Sequence, residues 1–513
     1  MGGNVSQGES FEYTREINRV GKVPVKTKIY QGFGGILSSH KDFAFGTFLL
    51  LYYSQILGLS ASLVSIVIAI ALFTDAITDP IVGSISDSYR SKLGRRHPFM
   101  YGAAIPFGVT MYFLFAPPEG LSDAMLLGWL LFFTLTARLA FTFFYVPWSA
   151  VGAEFSNDYV ERTSIITYRY MVGWTGGLTF NLVTWNYIFP DSELYPAGQL
   201  NPENYPLFGF AVCCLVILWA FISTHGTRKE IPYLLQPTKP TPKFSFSSVF
   251  SDVHLALQNA NFRRLFFLFV MFSGLAGVGG VFDIYMNTYF WGFTSDDLRW
   301  FAMSAFGAIA AFITIPFIQR KIDKQIVLQY FLGTFMIGAI LKVCFRFWDI
   351  WPDNGEPLLL QLLIVHTTVQ AYLLTTCGIM VGSLIADLMD EQELETSKRQ
   401  EGVFSSAISF SSKATSSIGL IAGGFLLDFY IKLPRQAELS SVDEDVLFRL
   451  AVTDGVVIPL LFFIPIYLMS RITMTRKRLA EVQAALELRR TGQVLESEET
   501  AKQMGSEKQM GSV

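Results

Sequence analysis

The sequence predicts an all-α membrane protein with twelve transmembrane helices in two six-helix halves. Three observations lead there. Of 513 residues, 51% are hydrophobic and only 16% are charged, with a mean hydropathy of +0.39. A soluble domain cannot hide that much apolar surface in long uninterrupted runs. The apolar residues gather into about a dozen runs of roughly the 20 residues that a hydrocarbon core demands. A polar stretch with Pro232, Pro237, Pro240 and Pro242 divides these runs six and six.

Residues 1–29 are polar and mixed in charge, with no apolar core of a cleavable signal, so they read as a cytoplasmic segment and the first span as an uncleaved membrane signal. The first bundle covers 30–225, with spans at 30–57, 62–86, 98–117, 124–150, 168–189 and 207–225. The linker is 226–263, with a short surface helix expected near Ser247–Asn259. The second bundle covers 264–471, with spans at 264–290, 299–319, 326–347, 357–386, 402–430 and 446–471. Glycine and proline recur inside these runs, as they do in membrane helices. In the tail, 472–513, the stretch Thr473–Arg490 predicts a helix, read as solvated rather than membrane-bound. KQMGS then occurs twice, at 502–506 and 508–512, in a polar segment too poor in apolar residues to fold.

Lys and Arg gather on one side, with Lys432 and Arg435 as the main exceptions. Arg15, Arg19, Lys22, Lys26 and Lys28 precede the first span, and Arg90, Lys92, Arg95 and Arg96 follow the second. Arg228, Lys229, Arg263, Arg264, Arg320, Lys321, Lys324, Arg471, Arg476, Lys477 and Arg478 continue the series, while loops 117–124 and 190–206 carry none. By the positive-inside effect both termini are cytoplasmic, in a multi-pass protein of the plasma (inner) membrane. The net charge of −3 gives no reason to expect a nucleic-acid partner. Cys213, Cys214, Cys344 and Cys377 all lie in apolar runs and read as buried small hydrophobes.

Asp75 and Asp79 stand one helical turn apart inside the apolar run Leu63–Ser86. Each costs ~2.5–3.5 kcal/mol at mid-bilayer, so their retention points to function. On one helix face they can share a proton or hold a cation. The string continues through Pro80, Gly83 and Asp87 to Arg90, Lys92, Gly94, Arg95, Arg96, His97 and Pro98. Gly83 is expected to let two helices approach closely, and Asp87 to pair with the basic turn as a gate. Similar acidic-then-basic loops follow span 4 (Glu154, Asp158, Arg162) and span 10 (Asp387, Asp390, Lys398, Arg399, Glu401). Further intramembrane polar residues are Lys41 and Asp42, Arg138, Arg169, Asp283 with Asn287, and Lys413; His40 and His366 read as hydrogen-bonded structural residues.

The span 2 string resembles the major facilitator superfamily, and within it the glycoside–pentoside–hexuronide:cation symporters, the melibiose permease family. A second family string follows span 10: Ala386-Asp387, Asp390, Thr396, Arg399 and Glu401-Gly402, then Phe404, Phe410, Lys413 and Gly419, with Thr396-Ser397 in place of the usual Thr-Gly. The resemblance covers roughly residues 28–475. It implies a cation site at Asp75, Asp79, Thr142 and Lys413, with Tyr145 where the family carries a span 4 aspartate. It implies a substrate site at Lys41, Asp42, Tyr145, Trp148 and Arg169, and gating by Gly83, Asp87, Arg95, Arg96, Asp387, Arg399 and Glu401. Loss of the span 4 acid weakens a sodium site and leaves a proton open as the coupling ion.

The expectation is therefore a secondary active transporter: cation-coupled symport of a sugar or glycoside by alternating access. One alternative is a lysophospholipid or other amphipathic solute on the same fold, since a vertebrate lysophospholipid transporter belongs to the same wider group. Another is a non-transporting membrane receptor or scaffold. No Walker lysine loop, GxSxG, HExxH or paired Cys/His set occurs, so no enzyme is expected. No cofactor is expected besides the coupling ion, and no metal beyond sodium. The expected partners are membrane lipid and a small-molecule substrate, with the chain read as a monomer.

Overall fold

The structure is a computed structural model that describes residues 21–156, 158–234, 257–396, 401–437 and 441–490, with a few residues around 13–19 and 236–237. Its N-terminal helices are α1 (Val25–Phe43), α2 (Ala61–Ser88), α3 (His97–Phe115), α4 (Asp123–Glu154), α5 (Tyr159–Val183) and α6 (Asn204–Thr227). After the linker come α7 (Ala260–Tyr285), α8 (Ser295–Ile318), α9 (Lys324–Phe347), α10 (Pro357–Thr396), α11 (Glu401–Phe425) and α12 (Glu444–Ser470). A final helix, α13, spans Arg476–Arg490. Ten of the first twelve are long and apolar enough to cross a membrane. The exceptions are α1 and α5, which carry Lys28, Gln31, Lys41 and Asp42, and Glu161, Arg162 and Arg169. Helix α1 packs along α5, and both contribute to a groove that α8 and α10 complete.

Within the first half, α3 packs against α4 and α6, α1 against α5 and α6, and α2 against α4. In the second half, α7 packs on α11 and α12, and α10 on α8 and α9. The halves meet where α2 lies on α11 and where α5 meets the start of α8. The first turns are capped as helix physics requires: Ser60, Ser122 and Asp158 each accept a backbone N–H at the start of α2, α4 and α5.

Several boundaries differ from the expectation. Helix α5 starts at Tyr159, not 168, because Asp158 caps it and its polar first turns lie beyond the apolar run. Helix α10 runs 40 residues to Thr396, past the apolar limit at 386, as a polar extension that helix propensity rather than hydropathy sustains. The linker is shorter than 226–263, since helical turns persist to Tyr233 and α7 begins at Ala260; most of the expected surface helix near Ser247–Asn259 lies outside the described residues.

Three further corrections concern side chains. A Cβ on Gly83 would rest 3.6 Å from Val146 Cγ1, an ordinary contact, so no close approach is needed there. Gly35 and Gly173 are such a position: α1 and α5 touch backbone to backbone, and a Cβ on Gly173 would meet the Gly35 carbonyl carbon at 3.2 Å. Of the cysteines only Cys377 is buried, and Cys214 is exposed. Helix α13 is not simply solvated: it docks on α10 and buries Val482 and Leu486.

The start of α1 and the end of α12 mark the terminus face, since twelve helices running alternately up and down bring both to one side. There the N-terminal segment is strapped across the helix ends: Tyr13 and Thr14 pair with Pro237 and Gln236, and Arg19 forms an ion pair with Glu230.

Candidate functional site

Helix α2 carries both carboxylates, and each has found a different cation. Asp75 accepts a hydrogen bond of 2.7 Å from Arg138 Nη1 on α4, with both side chains buried. The Arg138 guanidinium also lies 4.8 Å from the Phe45 ring centroid, so α2, α4 and the wide turn Ala44–Leu49 that continues α1 are pinned together at this point. The other Asp75 oxygen, Oδ1, is buried without a hydrogen-bond partner. One turn on, Asp79 Oδ1 accepts from the Thr142 hydroxyl at 2.9 Å, and Oδ2 pairs with the Lys413 ammonium of α11. Lys413 and Asp79 keep 29% and 28% of their side-chain surface, so this pair touches solvent where the Asp75–Arg138 pair does not.

The four charges sum to zero. Asp79, Thr142 and Lys413 are brought together as expected, whereas Asp75 is occupied by Arg138, which the resemblance did not place in the cation site. The signal for it was a lone arginine in an apolar run, four residues before Thr142. A hydroxyl, one shared carboxylate and one orphaned carboxylate oxygen are hard oxygen donors, the kind a monovalent cation takes.

The expected substrate residues divide. Lys41 binds Asp42 at 2.7 Å and lies over Phe141, and Asp42 keeps 64% of its side chain exposed. Arg169 lies over the Trp148 and Tyr170 rings at 5.3 and 5.2 Å. Trp148 is buried and its indole N–H donates to the Gln31 carbonyl at 2.9 Å, while Gln31 Nε2 donates back to the Trp148 carbonyl. This reciprocal pair makes Trp148 the brace between α4 and α1. Tyr145 is half-buried and stacks on Phe141, with ring centroids 5.0 Å apart. His40 and His366 are hydrogen-bonded, to Trp219 and to the Gly338 carbonyl. Asn287 donates to Asp283 at 3.4 Å across one turn of α7 and its continuation.

On the terminus face, Arg96 reaches Asp87 at 2.6 Å and Glu154 at 2.8 Å, and Arg95 reaches Glu154 at 2.6 Å. Glu154 is thus the hub of a four-residue cluster joining α2, α3 and α4. In the second half Lys324 at the start of α9 binds Asp387 on α10 at 2.5 Å, the equivalent place in that half. Arg399 and the side chain of Glu401 lie outside the described residues.

Paired charges between two six-helix halves, with loop clusters at one face, define a membrane transporter. A family model described as MFS/sugar transport protein matches residues 30–476, and the chain belongs to that family. Among curated relatives, the uncharacterized symporter YnaJ of Bacillus subtilis is 26% identical over 76% of this chain and 80% of its own. The putative glycoside/cation symporter YagG of Escherichia coli is 22% identical over 82% and 85%. The sodium-dependent lysophosphatidylcholine symporter 1 of Xenopus tropicalis is 26% identical over 80% of each. The structure is similar to the crystal structure of the nucleoside transporter NupG, with a TM-score of 0.56 and 14% identity over 87% of this chain and 98% of that one, a likeness of fold.

Proposed function

We propose that the protein is a cation-coupled symporter that moves a sugar or glycoside by alternating access, in a plasma (inner) membrane with both termini in the cytoplasm. One observation carries the reading. A mid-membrane carboxylate, Asp79, is shared between a hydroxyl of its own half and an ammonium of the other half. The network is neutral without a bound ion. A cation arriving at Asp79 adds one charge and competes with Lys413 for the same oxygen. A proton does so by neutralising the carboxylate, and a sodium ion by taking Asp79, Thr142 and the free oxygen of Asp75. Either way the lysine is released and a bond between the halves is lost, which links ion binding to their movement.

Substrate recognition falls to Asp42, Lys41 and Arg169, because ionised groups make the stronger hydrogen bonds to hydroxyls. Inward movement of one monovalent ion gains roughly 2.3 kcal/mol per 100 mV, about a fifty-fold gradient of solute. The test is uptake of a panel of radiolabelled glycosides into proteoliposomes under an imposed sodium or proton gradient. Accumulation above equilibrium with one ion supports the reading and names the ion. Binding with no flux under either gradient refutes it in favour of a receptor.

A second reading, a lysophospholipid or similar amphipathic cargo, is favoured by one feature. A groove of about 1010 Å³ opens between α5, α8 and α10, lined by Trp174, Leu178, Phe301, Phe312 and Leu374. Its walls suit an acyl chain rather than a sugar. Uptake of a lysolipid, with no sugar competing, decides for this cargo.

A further inference from the structure

The halves are tied at the face remote from the termini by two carboxylates in equivalent places. Asp428 sits in the wide helical turn Leu426–Ile431 that closes α11, and reaches the first turn of α2. It accepts from the Ser62 backbone N–H at 2.8 Å, the Ala61 N–H at 3.2 Å and the Ser60 hydroxyl at 2.5 Å. Asp191 follows the wide turn Thr184–Ile188 that closes α5, and reaches the first turn of α8. It accepts from the Ser295 N–H at 2.9 Å and the Asp296 N–H at 3.2 Å, with a further bond at 3.2 Å from Gly198 N–H in its own half. So the fifth helix of each half sends an acid to the second helix of the other.

The chemistry is the same at both. The first N–H groups of a helix have no acceptor inside it and form its positive end. A carboxylate there makes charge-assisted bonds, stronger than neutral ones. Neutral bonds also cross this face, Ser54 with Tyr285 at 2.7 Å, Tyr289 to Gln55 at 3.2 Å, Gln199 to Thr288 at 3.1 Å and Ser295 to Gln199 at 2.7 Å. Two arginines donate across it, Arg299 to the Asn186 amide oxygen at 2.8 Å and Arg435 to the Gly58 carbonyl at 3.4 Å. Asp191 and Asp428 are the carboxylates that each take two backbone N–H groups of the opposite half. Neither acid takes part in the Asp75–Asp79 network.

We propose that Asp191 and Asp428 are the paired latches of the gate on the face remote from the termini. They hold the halves together there while the protein is open to the opposite face, and they let go when the halves rock. The proposal rests on the reading that the halves rock.

The test measures the gate with no substrate and no ion gradient, so it is separable from uptake. Spin labels are placed at Leu194→Cys and Ile350→Cys, exposed positions on remote-face loops of different halves, with the four native cysteines replaced by alanine. Inter-label distances are read by pulsed electron resonance in nanodiscs. Asp191→Asn and Asp428→Asn should each raise the ratio of long to short distances about tenfold, equivalent to ~1.4 kcal/mol. The double variant should raise it on the order of a hundredfold, because the two sites share no partner. Ser60→Ala should shift it the same way by less. Asp353→Asn, whose carboxylate pairs with Arg346 in its own half, should leave it unchanged. A double variant with the parent distribution, or an Asp353→Asn shift as large as the latch variants', overturns the proposal. A gate that responds as expected in a protein showing no driven uptake would sink the symport reading alone.

Discussion

The two halves share an architecture but not a charge plan. The N-terminal half carries Lys41, Asp42, Asp75, Asp79 and Arg138 within its membrane helices, and most of these pair inside that half. The C-terminal half adds one amine, Lys413, to that network and keeps Asp283, Lys342 and Asp454 near one another as a separate group. The terminus face repeats the contrast: in the first half Glu154 gathers two arginines that also reach Asp87, where the second half spreads its charges over separate pairs, among them Lys324–Asp387, Arg476–Asp323 and Arg478–Glu391. The difference teaches that the proposed coupling network is anchored in the first half and reaches the second through one bond, Asp79 to Lys413.

The largest effect should come from Arg138. Arg138→Met strands the buried Asp75 charge, and removal of one partner of a buried pair costs ~3–5 kcal/mol. The Tm in detergent should fall steeply, and adding Asp75→Asn should restore most of it. Failure of the second change to rescue the first would mean the pair does not hold α2 to α4.

Next come the loop clusters. Glu154→Gln loosens two arginines and should cost ~1.5–3 kcal/mol, with Asp387→Asn costing about half as much. Thiol labelling of cysteines placed at the terminus face should increase in both, more in the first; equal increases would remove the asymmetry. The smallest effects concern aromatic contacts. Arg169→Lys should raise KM a few-fold, consistent with ~1 kcal/mol for a cation–π contact at a partly exposed site. Trp148→Phe should lower Tm while leaving KM within about twofold, since one hydrogen bond of ~1 kcal/mol to α1 is lost.

Much of this plan was legible in the sequence. Hydropathy found the helices, because lipid demands unbroken apolar runs, and the Asp75/Asp79 spacing found the network. Lys413 and Thr142 were reachable through family likeness. What hydropathy could not see were the polar ends: α5 begins at a capping aspartate and α10 continues to Thr396 after the apolar signal stops. Partner choice was equally hidden. Spacing places Asp75 and Asp79 on one face but cannot say that α4 turns Arg138 toward the first and Thr142 toward the second. Asp191 and Asp428 escaped notice because each makes its bonds to backbone N–H groups of a helix more than a hundred residues away in the chain, and such partners leave no residue pattern.

The most direct measurement compares wild type with Asp79→Asn in proteoliposomes, reading both gradient-driven accumulation and exchange of solute at equal concentrations. If a cation displaces Lys413 from Asp79, the variant loses uphill accumulation and keeps exchange. Accumulation at the wild-type level in the variant, under the same ion gradient, would contradict it.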